Sequence, residues 1–113
     1  MSDQELRDEL AELKVKMEKL DRYQEVIELA NNLISTPSNI VALSCEWRME
    51  EYAHTDDGLI DLKVLLNEEL VVKFKVPNNS EEEVEHARPA LLADYLDRAS
   101  SNMSRQIEQI LRN

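Results

Sequence analysis

Glycine is nearly missing from this chain: Gly58 is the only one among 113 residues. Loops that cradle phosphate need several glycines so that the backbone can close on the ligand. A P-loop and a dinucleotide-binding fingerprint are both excluded, and with them the commonest routes to nucleotide chemistry. Cysteine is as scarce. Cys45 stands alone, so no disulfide can form within the chain, which fits a reducing compartment. No apolar run approaches the ~20 residues of a membrane-spanning helix. Basic residues are outnumbered, 13 against 24 acidic ones, and the net charge is −11. A field of that sign repels phosphates, which argues against direct nucleic-acid binding and against anionic membranes. The opening "MSDQELRDEL" has neither the basic start nor the apolar run of a signal peptide. The expectation is a cytoplasmic protein without membrane contact.

What is present is enough apolar residue, 42%, for one modest core. Residues 3–34 lack glycine and proline, are rich in Glu, Leu, Lys and Ala, and read as one helix. Pro37 ends it. In "IVALSCEWRMEEY", Val41, Leu43, Cys45, Trp47 and Met49 alternate with Ala42, Ser44, Glu46, Arg48 and Glu50, the period of a half-buried strand. After the turn residues "AHTDDG", Ile60, Leu62, Val64 and Leu66 repeat the pattern, and Leu70, Val72, Phe74 and Val76 follow the link "NEE". Three strands in series with short links predict an antiparallel meander. Ser80 and Glu83 fit a capping box that would start a helix. Pro89 breaks or kinks that region, and a longer helix follows with the stripe Leu92, Leu96, Ala99, Met103, Ile107 and Ile110, weakest at "SSN" (100–102). The fold class is α+β: a long N-terminal helix that is partly coiled coil, a three-stranded meander, and a C-terminal helical region packed on the sheet.

Charges predict the register. Setting Trp47 against Leu62 places Arg48 opposite Asp61 and Glu46 opposite Lys63, whereas a two-residue slide brings like charges together. In the second hairpin, Leu66 against Leu70 sets Asp61 by Lys75 but also Lys63 by Lys73.

Leu6, Leu10, Leu13, Met17 and Leu20 form a narrow stripe stepping four, three, four, three. With Leu10 and Met17 at heptad position a, a parallel pair of chains would join Glu9 to Lys14 and Lys16 to Asp21. An antiparallel pair would join Lys14 to Asp21 instead. These five side chains are the expected dimer interface of a homodimer. Residues 1–22 are then a coiled-coil dimerisation segment and 23–113 a single α+β domain. In the competing reading the stripe packs on Met103, Ile107 and Ile110 of the same chain.

Chemistry-bearing residues are few. His54 with Asp56 and Asp57 has the composition of a metal or acid–base site, but equally of a polar hairpin turn. Glu82 and His86 sit one helical turn apart, two ligands where a site needs more. Cys45 falls on the inward strand face, as free cysteines commonly do. No catalytic residue, metal ligand set or cofactor is assigned. Arg48, Lys63, Lys73 and Lys75 share the outward sheet face with Glu46, Glu50 and Asp61, without an aromatic platform for bases. Ala42, Leu65 and Val71 are outward apolar neighbours, a partner patch unless the N-terminal helix covers them. The leading expectation is a non-enzymatic dimeric protein-interaction module (adaptor, inhibitor or chaperone-like) that binds another protein. The alternatives are an acidic nucleic-acid mimic that inhibits a DNA- or RNA-binding protein, and an undetected metal-dependent hydrolase.

Overall fold

The computed structural model describes residues 2–34, 39–48, 58–77 and 82–112. Helices α1 (Asp3–Glu18) and α2 (Tyr23–Leu33) lead into strands β1 (Ile40–Arg48), β2 (Leu59–Leu66) and β3 (Leu70–Pro77). Two short strands, β4 (Glu85–His86) and β5 (Ala90–Leu91), precede helices α3 (Leu92–Leu96) and α4 (Ser101–Arg112). The sheet is antiparallel, ordered β1-β2-β3, with β4 and β5 both pairing to the outer side of β3. The class is α+β, with the C-terminal helices packed against the sheet.

Where one helix was expected over 3–34, two are present. A straight 32-residue helix would run ~48 Å, past the ~30 Å of the nine-residue β1. The chain turns instead. Leu20 N–H bonds the Met17 carbonyl at 3.2 Å, and Tyr23 N–H bonds that of Leu20 at 3.0 Å. Arg22 fixes the corner. Its guanidinium forks onto Glu25 at 3.0 and 2.7 Å and also donates to the backbone carbonyls of Pro77 and Glu82.

The sheet buries two apolar clusters, one on each face. On the first face Leu62, Val64, Leu66, Val72, Phe74 and Val76 are covered by Met17, Val26 and Ala30, with Leu13, Leu20 and Tyr23 around them. On the second face Leu43, Leu65 and Val71 are covered by Ile107 and Ile110, with Leu10, Leu92, Tyr95 and Met103 at the rim. α1 and α2 thus cover the Ile60–Leu66 set, and α3 and α4 cover the opposite face.

A β-bulge reconciles β1 with both clusters. Ile40, Val41 and Ala42 pair with Leu66, Leu65 and Val64, then the register shifts, and Ser44 pairs with Lys63 and Cys45 with Leu62. Leu43 is the extra residue. Its insertion lets Val41 and Leu43 point to the second face while Cys45 and Trp47 point to the first. The unbroken alternation read from the sequence is thus interrupted at one position. Trp47 pairs with Ile60 rather than Leu62, which sets Glu46 against Asp61, the like-charge arrangement that electrostatics disfavoured. Burial of Leu43 and Leu65 on one face and of Leu62 and Val64 on the other outweighs a surface charge pair of ~0.2–1 kcal/mol. The β2–β3 register is the expected one, Leu66 on Leu70 and Lys63 on Lys73.

Trp47 shares the apolar set of β1 but stands largely outside the core. It is 58% exposed, and Phe74 occupies the centre with no accessible surface. Trp47 lies near the end of β1 and rests against Gly58, where a β-carbon would come within 2.8 Å of the indole and φ is +75°. The helix expected after Ser80 is also absent: Glu83 is in no helix, and Ser80 itself lies outside the described residues. Pro89 disfavours helical geometry in Arg88, and the outer side of β3 offers unpaired backbone groups that β4 and β5 fill. The last helical region breaks after Leu96, and the Ser100 hydroxyl caps α4 by accepting from Met103 N–H at 3.2 Å.

The α1 stripe packs within its own chain. Leu10 joins the second-face cluster, while Leu13, Met17 and Leu20 join the first. One helix reaches both faces only by lying across the sheet's edge at β1, which α1 contacts along with α4. Leu6 and Met17 are each 1% exposed. Met17→Ala is expected to cost about 2–4 kcal/mol in urea unfolding, and Val15→Ala, on the exposed side of the same helix, less than about 0.5 kcal/mol. The midpoints should not vary with protein concentration, as they would for a seam between chains.

Candidate interaction site

The second face of the sheet is only half covered. Its apolar end lies beneath α3 and α4; its other end is charged and forms a hollow of about 550 Å³ walled by β4. Two rows of side chains cross it. One runs Glu46, Asp61, Lys75, Glu85 over β1, β2, β3 and β4. The other runs Ser44, Lys63, Lys73 and ends at Ala87, whose N–H bonds the Lys73 carbonyl at 2.9 Å. The first row alternates in sign toward β4, but its β1–β2 end places two carboxylates side by side. The second sets two ammonium groups opposite one another.

Lys63 is oriented by α3. Its Nζ donates to the Tyr95 hydroxyl at 3.0 Å and stands 5.1 Å from the ring centroid, so part of its charge rests on the aromatic face. Lys73 is exposed, and neither lysine forms an ion pair among the described residues. On β4 it is Glu85 that shares the side of Lys75, whereas His86 lies on the Phe74 side of the sheet: its ring is tilted against Phe74 at 6.0 Å and its Nδ1 lies 3.0 Å from the Ala87 carbonyl.

The sequence-predicted residues fall as follows. Lys63, Lys73, Lys75, Glu46 and Asp61 are brought together, as their shared outward face implied. Ala42, Leu65 and Val71 are not a surface patch. All three are buried, Leu65 and Val71 beneath α3 and α4 and Ala42 on the opposite face. His54, Asp56, Asp57, Met49 and Glu50 lie outside the described residues. Glu82 and His86 do not share a helix face, since His86 is in β4. Among the described residues no group of three or more metal-ligating side chains converges, and no helix is long and apolar enough to cross a membrane. Sequence reasoning did not single out Tyr95 or Glu85, and it set His86 one helical turn after Glu82 where the chain forms β4.

Comparison of the chain with protein-family models, with curated proteins and with solved structures gives no match.

Cys45 is half-buried against the first-face cluster. Burial pushes its thiol above the ordinary value, and the nearby Lys16 charge pulls the other way. A folded-state pKa above the unfolded one means that the neutral thiol's contribution is complete below the unfolded pKa and is lost as pH rises through the folded value. Maleimide labelling of Cys45 should accordingly be slower in the folded protein than in urea at mildly alkaline pH. Lys16→Ala should slow it further; labelling as fast as in urea would contradict the burial.

Proposed function

We propose that this chain is a non-enzymatic protein-interaction module that contacts another protein through the open, charged half of its sheet. The observation that carries this reading is the hollow itself, lined by both signs of charge beside a helical layer that stops short of it. Sites for small molecules are mostly apolar and enclosed, and catalytic sites exclude water. A shallow charged surface next to a packed layer suits recognition by complementary charge. An acidic nucleic-acid mimic would offer unbroken carboxylates, whereas three lysines sit in this hollow. Self-association through Leu6, Leu10, Leu13, Met17 and Leu20 is not part of the proposal, because Leu10, Leu13, Met17 and Leu20 serve the chain's own clusters and Leu6 is buried.

Affinity capture from the source organism with the native chain, Lys73→Glu and Glu46→Lys tests the reading. A partner retained by the native protein should be weakened at least about tenfold by either reversal, the loss of one or two charged contacts. Equal retention by all three would contradict it.

A further inference from the structure

Like charges facing one another across a sheet cost stability, and this chain places two such pairs in adjacent rows: Glu46 with Asp61, and Lys63 with Lys73. The sequence contains a register that would have matched Glu46 with Lys63. Local conflicts of this kind collect where a surface serves a partner. With 13 basic residues against 24 acidic, a lysine pair unmatched by any described carboxylate is a costly use of scarce positive charge. Glu46 likewise makes no ion pair among the described residues.

The spacing limits what can satisfy both. Ser44 and Glu46 are two residues apart on β1, so the rows are separated by ~6.8 Å along the strands. Four residues of an α-helix rise ~6.0 Å. Four strands span ~14 Å, room for a helix ~10–12 Å wide. An extended segment laid on the face of a sheet would leave its backbone groups unpaired, whereas a helix satisfies its own. Of the sheet's two sides, α1 lies across the one at β1 and β4 and β5 occupy the other.

We propose that the hollow seats a helix of the partner protein, which places an acidic side chain between Lys63 and Lys73 and a long basic side chain, four residues away, that reaches the ~7 Å sideways to Glu46 on β1. This rests on the reading of the hollow as a protein-contact surface. The docked helix extends the layer begun by α3 and α4, with Tyr95 as the boundary between resident and incoming helix. A nucleic-acid strand would set a run of phosphates against Glu46, Asp61 and Glu85 and is disfavoured.

The test uses the full-length chain, labelled with nitrogen-15, at low ionic strength. Three probes are titrated: an alanine-rich helical peptide with Glu and Arg four residues apart, the same peptide with both changed to Gln, and a single-stranded oligonucleotide. The charged peptide should give saturable amide shifts at Ser44, Glu46, Lys63 and Lys73. The Gln peptide should bind at least about fivefold more weakly, the oligonucleotide should move none of these signals, and Lys73→Ala should lose the preference between the two peptides. Equal binding of both peptides, shifts confined to other surfaces, or binding of the oligonucleotide in place of the peptide would overturn the proposal. A captured partner sensitive to Lys73→Glu, combined with a peptide that fails to bind, would overturn the helix while leaving the interaction surface standing. Loss of both results would remove both.

Discussion

The position of α1 across the edge of β1 is the constraint on which the other features depend. An edge strand exposes unpaired backbone groups that invite pairing with other chains, and proteins commonly cover it. Here the cover is a helix whose apolar stripe divides, Leu10 to one face and Leu13, Met17 and Leu20 to the other. That division requires a strand that supplies apolar side chains to both faces, and the bulge at Leu43 provides it. The turn at Leu20–Arg22 then lets α2 return over the first face. Arg22 holds the turn to the end of β3, and its guanidinium keeps the Glu25 carboxyl below the usual carboxylate range.

The same arrangement leaves part of the second face open. α1 reaches it with Leu10, α4 with Ile107 and Ile110, and α3 with Leu92 and Tyr95. Of these side chains, Tyr95 reaches the charged rows, at Lys63. The charged hollow is therefore a consequence of how far the helical layer runs. The bulge sets one part of its residue pattern, Glu46 beside Asp61, while the β2–β3 hairpin sets the other, Lys63 beside Lys73.

Much of this was legible in the sequence. Period-two alternation located all three long strands, and the second hairpin's register followed from the short link "NEE", where Asn67 and Glu68 adopt positive φ. The stripe Met103, Ile107, Ile110 identified the buried side of α4, and the outward lysines of β2 and β3 were correctly grouped. Three features were not legible, for physical reasons. A bulge leaves the composition of a strand unchanged while reversing the sense of every later side chain, so Trp47 and Cys45 were placed on one face with Leu43. Alternation gives a residue's face but not its position along the strand, so Trp47 shares the alternating apolar set yet, near the end of β1, is exposed. Finally, the Leu6–Leu20 stripe meets the pattern of a coiled coil, yet a helix crossing a sheet edge needs the same narrow spacing to reach two clusters.

The most direct measurement is the thermal unfolding of a chain lacking residues 1–19, followed by near-ultraviolet circular dichroism. With α1 removed, both clusters and the edge of β1 are opened to water, and the account predicts loss of the cooperative transition. A truncated chain that keeps a sharp transition and native aromatic signal would show that α1 stands apart from the domain and would contradict the account.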